Sequence, residues 1–176
     1  MIVMRKILVV IDMQNDFIDG ALGTAEAEAI VDNVVAKIRT YDEKDIFATR
    51  DTHQANYMET MEGKHLPVEH CIEGTDGWQL NPKVAEALGN AVIIDKPTFG
   101  STQLVDAIKE IADKEEIEIE LIGLCTDICV VSNALLLKAN MPEVTFKVDP
   151  SCCAGVTPES HDKAIGTMQM CHIDMI

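Results

Sequence analysis

One repeating pattern constrains this chain more than any other. Short, unbroken apolar runs rich in β-branched residues are each closed by a charged side chain and separated by helical stripes. Lys6-Ile7-Leu8-Val9-Val10-Ile11 ends in Asp12, Asp45-Ile46-Phe47-Ala48-Thr49-Arg50 ends in Asp51, and Ala91-Val92-Ile93-Ile94-Asp95 ends in Lys96. Ile117–Ile122 and Glu143–Asp149, where polar residues interrupt the apolar ones, add two further strands, and Cys171–Ile176 suits a short last strand. Runs without polar alternation need cover on both faces, which is the property of a parallel sheet. The cover is written between them. Ala25–Thr40 places Ile30, Val31, Val34, Val35 and Ile38 on one helical face, and Thr102–Lys114 does the same with Leu104, Val105, Ile108, Ile111 and Ala112. Further helices are expected over Ser132–Ala139 and from Pro158. Alternating strands and helices predict an α/β fold, a three-layer, doubly wound (Rossmann-like) parallel sheet with helices on both faces. At 176 residues, 1–176 is read as one domain.

Such sheets bind ligands beyond the carboxyl ends of their strands. Asp12, Asp51, Lys96 and Cys129 all fall at or just past a predicted strand end, so they are expected to gather on one edge. Cys129 lies in Gly123-Leu124-Cys125-Thr126-Asp127-Ile128-Cys129-Val130-Val131, between a strand and a helix. Thr126 or Asp127 is placed to cap that helix. A cysteine in the first turn meets unpaired N–H groups and the positive end of the helix dipole, which favour a thiolate. A nucleophile also needs a base, and Asp12 suits that role. Lys96 would offset the repulsion between Asp12 and a thiolate, ~4 kcal/mol for unit charges about 4 Å apart at an effective dielectric near 20.

Composition narrows the partners. Thirty acidic residues against fourteen basic ones give a formal net charge of −16. That opposes nucleic acid and anionic membranes and suits a small-molecule substrate. No signal peptide or spanning run is evident, so a cytoplasmic location is expected, with the six cysteines reduced. No G-x-G-x-x-G follows the first strand, which argues against a dinucleotide-binding domain. About forty residues from Thr52 to Ala91 lack strong periodicity, and a stretch of that length points to function.

Asp after the first strand, Lys after the third and Gly-x-x-Thr-Asp-x-Cys-Val after the fourth resemble the isochorismatase-like cysteine hydrolases. The resemblance covers nearly the whole chain. It implies six parallel strands and a triad of Asp12, Lys96 and Cys129. It also implies a cis peptide before Cys125, with the N–H groups of Cys125 and Cys129 as oxyanion hole. Asp51-Thr52-His53, Glu62 and His70-Cys71 look like the metal-bearing nicotinamidase branch. There Asp51, His53, Glu62 and His70 would bind one divalent ion, with Glu59 the competitor for the third position. A mixed O/N set suits Zn²⁺ first, with Mn²⁺ or Fe²⁺ as alternatives. Phe17 and Trp78 resemble the aromatic pair that sandwiches the substrate ring, with Gln14 as a further contact. The implied activity is nicotinamide hydrolysis in pyridine-nucleotide salvage, by a homo-oligomer. The alternatives are the same chemistry on a ureido or carbamoyl compound, or a non-catalytic metal or redox sensor using Cys125 and Cys129.

Overall fold

The structure is a computed structural model that describes residues 3–176. Six parallel strands form one sheet: β1 (Arg5–Ile11), β2 (Ile46–Asp51), β3 (Val92–Lys96), β4 (Ile117–Leu124), β5 (Thr145–Ala154) and β6 (Asp174–Met175), in the order β3-β2-β1-β4-β5-β6. The expected doubly wound sheet is present. Its order reverses between β1 and β4, where a crevice opens at the carboxyl ends of the strands.

The short α1 (Asn15–Ile18) follows β1, and alternation along β1 explains both layers. Leu8 and Val10 face one core with Ile30, Val31, Val34 and Ile38 of α2 (Ala25–Ile38) and Val84 and Leu88 of α4 (Pro82–Leu88). Ile7, Val9 and Ile11 face the other with Leu104 and Ile108 of α5 (Thr102–Ala112), Ala134 and Leu137 of α6 (Val131–Asn140) and Met168 of α7 (Pro158–Met170). Thr24, Ser101 and Thr157 cap α2, α5 and α7 through their hydroxyls. At the β1–β4 seam Ile11 pairs with Gly123. Gly123 has φ +118, and a Cβ there would meet the Ile11 carbonyl oxygen at 2.1 Å, so only glycine lets the strands approach.

Two stretches differ from expectation. β5 runs on through Pro150 to Ala154, because a register shift between Leu121 and Gly123 accommodates the proline. Cys152 and Cys153 are therefore strand residues, packed into opposite cores. The segment after β2 is also more ordered than its sequence suggests. It carries a turn of 3₁₀ helix at Tyr57–Glu59, α3 (Met61–His65) and α4. Buried Tyr57 donates to the Leu66 carbonyl at 2.8 Å, and His53 N–H donates to the Cys71 carbonyl at 2.9 Å. These bonds fold the segment back over the end of β2.

Candidate active site

Asp12, Lys96 and Cys129 meet at the carboxyl edge, all essentially without solvent exposure. Lys96 Nζ lies 2.7 Å from Asp12 Oδ2, 3.3 Å from Cys129 Sγ and 3.6 Å from Asp51 Oδ1, and donates to the Thr98 carbonyl at 3.1 Å. Asp12 sits in the left-handed region at φ +48, directly after β1. Its Oδ1 accepts from the Thr49 hydroxyl at 2.7 Å, and its own N–H donates back to Thr49. Thr49 is a residue the sequence pattern did not single out, because a threonine inside an apolar strand signals nothing until β2 is laid beside β1.

The turn that carries Cys129 also departs from expectation. Residues Thr126–Val130 form one wide π turn before α6, with Val130 N–H bonded to the Cys125 carbonyl at 3.0 Å. Neither Thr126 nor Asp127 caps the helix. The Thr126 hydroxyl pairs with His161 Nδ1 at 2.7 Å, and Asp127 accepts from Val156 N–H. The Leu124–Cys125 peptide is cis. Asn133, one helical turn past Cys129, donates to the Cys129 carbonyl at 2.8 Å and to the Phe99 carbonyl at 3.0 Å, and accepts from Ser101 N–H at 2.9 Å. It ties the Cys129 turn to the loop after β3.

Electrostatics correct the expected thiolate. Burial pushes the Cys129 thiol well above its ordinary value; Asp12 pushes the same way, and Lys96 only partly opposes them. The resting group is a thiol beside a carboxylate that can take its proton. Burial also raises Asp12 above the ordinary carboxyl range, with Lys96 pulling it down and Asp51 pushing it up. Burial disfavours the Lys96 ammonium, but Asp12, Cys129 and Asp51 outweigh it and hold the proton on Lys96. Cys125 is likewise pushed up to about 12 by burial, with nearby Asp127 adding to it.

Asp51, His53, Glu62 and His70 converge at one end of the same edge, with ligand atoms within 4.8 Å of one another. His53 Nε2 lies 2.9 Å from Asp51 Oδ2 and 3.5 Å from Glu62 Oε1, and His70 Nε2 lies 3.5 and 3.6 Å from the same two oxygens. Four donors around an ion at about 2.1 Å stand about 3.4 Å apart at the corners of a tetrahedron. The group therefore fits a divalent ion. His70 Nδ1–H donates to the Val68 carbonyl at 2.8 Å, which leaves the Nε2 lone pair for the site. Glu62 belongs to this group and Glu59 does not. Burial acts against protonation of His53, but Asp51 and Glu62 outweigh it and push its pKa up to about 9. A cation would compete for that lone pair.

A cavity of about 830 Å³ joins the two centres, with Phe17, Cys125, Cys129, Asp51, His53, Glu62 and His70 in its wall. Gln14 and Trp78, expected as substrate contacts, lie outside that wall. Gln14 is fully buried: it accepts from Asp51 N–H at 2.7 Å and donates to the Asp51 and Trp78 carbonyls. The Trp78 indole N–H donates to Thr52 at 2.9 Å, and its face carries the Arg50 guanidinium 3.8 Å away. Arg50 claims the ring by a cation–π contact, which the sequence could not reveal without the β2 register.

The described residues contain no helix long and apolar enough to cross a membrane. The model of the isochorismatase domain matches residues 6–175. A Bacillus subtilis protein described as an uncharacterized isochorismatase family protein, PncA, is 30% identical, covering 75% of this chain and 78% of its own. Among solved structures, pyrazinamidase/nicotinamidase of Streptococcus mutans superposes with a TM-score of 0.82 at 27% identity, covering 97% and 99% of the two chains. Pyrazinamidase of Pyrococcus horikoshii in complex with zinc gives 0.80 at 26% identity, with 98% of each chain covered. The chain belongs to the isochorismatase family.

Proposed function

We infer that this protein hydrolyses the carboxamide of nicotinamide to nicotinic acid and ammonia through a thioester on Cys129. One observation carries the reading: Cys129 and the four-donor group line a single cavity, and buried Lys96 bridges the Asp12–Cys129 pair to Asp51 behind its wall. That spacing suits an amide attached to a ring bearing a second donor atom. The nicotinamidase and pyrazinamidase names of the similar proteins, and the zinc of one, agree with it.

Asp12 takes the Cys129 proton as sulfur attacks the carbonyl carbon. The oxyanion is held by the N–H groups of Cys125 and Cys129, while Lys96 compensates charge without losing its own proton. Asp12 then returns the proton to nitrogen, the C–N bond breaks and ammonia leaves. A water gives Asp12 a proton and attacks the thioester; sulfur departs and is reprotonated by Asp12. Phe17 packs on the ring. Bound by Asp51, His53, Glu62 and His70, a Zn²⁺ ion supplies a Lewis-acidic anchor for the ring nitrogen.

The test is ammonia release from nicotinamide, pyrazinamide, ureido and carbamoyl compounds. Release from nicotinamide, abolished by Cys129→Ala, supports the reading. Turnover confined to the ureido or carbamoyl compounds overturns it.

A further inference from the structure

The cavity is far larger than nicotinamide requires. A ligand of nine heavy atoms fills on the order of 150 Å³, whereas pockets of several hundred suit drug-sized ligands. This one holds about 830 Å³. Beyond the two centres its wall is mainly apolar, with Leu22, Leu66, Phe99, Ile128 and Val156 drawn from the loops and turns around the strand ends. Phe99 is 45% exposed and Val156 52%, so both offer apolar surface that a ligand in the cavity can cover.

Resting on the reading above, we propose that the preferred substrates are pyridine-3-carboxamides carrying an apolar arm at ring position 5, which lies against Leu66, Phe99 and Val156. The floor dictates the position. Lys96 is buried and touches both Cys129 Sγ and Asp51 Oδ1, so it lies beneath the line joining nucleophile and donor group. A ring with its carboxamide at Cys129 and its nitrogen toward Asp51 turns the atom between them, C2, down onto Lys96. C5 is opposite C2 and faces the mouth. An arm at C2 meets the floor, one at C6 crowds the ring nitrogen, and one at C4 twists the carboxamide. Position 5 alone opens toward the apolar rim.

The probes are nicotinamide, 5-phenylpyridine-3-carboxamide and its 2-phenyl isomer. Two readouts apply: KM from ammonia release, and calorimetric affinity for the Cys129→Ala protein, which binds without turnover. Burying a phenyl group predicts a KM and a dissociation constant about tenfold lower for the 5-phenyl amide than for nicotinamide, with the 2-phenyl isomer not bound. Phe99→Ser and Val156→Ser should each cost the 5-phenyl amide at least threefold more affinity than they cost nicotinamide. Nicotinamide turnover with no gain for the 5-phenyl amide overturns the proposal and leaves the amidase reading intact. No hydrolysis of either amide overturns both. A solution dimer dispersed by Phe99→Ser, with 5-phenyl binding no tighter than nicotinamide, would assign the rim to a second copy and sink the proposal.

Discussion

The Thr49 hydroxyl donates to Asp12 Oδ1 at 2.7 Å, across the β1–β2 pair. This bond favours the ionised carboxylate, whereas burial opposes it. Thr49→Val keeps the shape and removes the donor. Hydrogen bonds to charged groups contribute about 1.5–3 kcal/mol, and 1.36 kcal/mol is one pKa unit. The Asp12 pKa should therefore rise further. The base must be ionised to accept the thiol proton, so the acid limb of kcat/KM moves to higher pH. A pH–rate profile checks this; an unmoved limb would remove Asp12 from the role of base.

Lys96 places its positive charge between two buried carboxylates, Asp12 at 2.7 Å and Asp51 of the four-donor group at 3.6 Å. Lys96→Met should abolish turnover and destabilise the fold by about 3–5 kcal/mol, since buried charge is left uncompensated. With the cation gone, Asp12 is raised further. A carboxyl raised in the folded state stabilises at low pH and loses that contribution as pH rises through its folded pKa. The deficit against the unaltered protein should thus be smaller at pH 5 than at pH 8, as read from denaturant midpoints.

The four-donor group predicts a separation of binding from nucleophile reactivity. His53→Ala, His70→Ala and Glu62→Gln should each lower bound zinc in metal analysis by tenfold or more, whereas Glu59→Gln should not. Chelated protein should show a raised KM for nicotinamide and a lower Tm, while an aldehyde analogue still modifies Cys129. Stoichiometric zinc retained by His53→Ala would place the ion elsewhere.

Away from the site, Lys37 Nζ pairs with Glu120 Oε1 at 2.5 Å and Asp149 Oδ2 at 2.9 Å, and the Tyr41 hydroxyl donates to Glu120 at 2.6 Å. Burial acts upward on Asp149, but hydrogen bonds from Ser151 and Lys37 hold it below the ordinary carboxylate range. A depressed carboxyl stabilises above its unfolded pKa and loses that contribution as pH falls through the folded one. Lys37→Met should cost about 1–2 kcal/mol at pH 7 and progressively less below pH ~4, measured by urea unfolding.

The strands and the gathering of Asp12, Lys96 and Cys129 were legible because an apolar run reports burial on both faces and its end marks the ligand-binding edge of the sheet. Asp12 and Lys96 needed only that rule, and Cys129 the strand-to-helix turn that follows β4. Asp51, His53, Glu62 and His70 took the resemblance as well, because their convergence depends on a segment folding back along hydrogen bonds no periodicity encodes. α4 was missed, being only seven residues long and held by its Asn81 cap. Trp78 was misplaced for a tertiary reason: Arg50 and Thr52 claim both its face and its N–H. The protonation of Cys129 was misjudged because a helix start is visible in sequence, whereas complete burial beside Asp12 is not.

The reversal of strand order between β1 and β4 has a consequence for how the chain is made. Asp12 and Cys129 are distant along the sequence, yet they face each other only because β4 docks on the free side of β1. Without Ile117–Leu124, β1 can only be the outer edge of a β3-β2-β1 sheet, with its backbone N–H and C=O groups on that side unpaired. A nascent chain stalled before that point has base and ammonium but no sulfur beside them, and an edge prone to pair with other chains. Late docking of this kind is slow, because it closes a long loop before any contact rewards it. The same seam that assembles the chemistry therefore ends the period in which the chain is exposed to aggregation, and a truncation before β4 forfeits both at once.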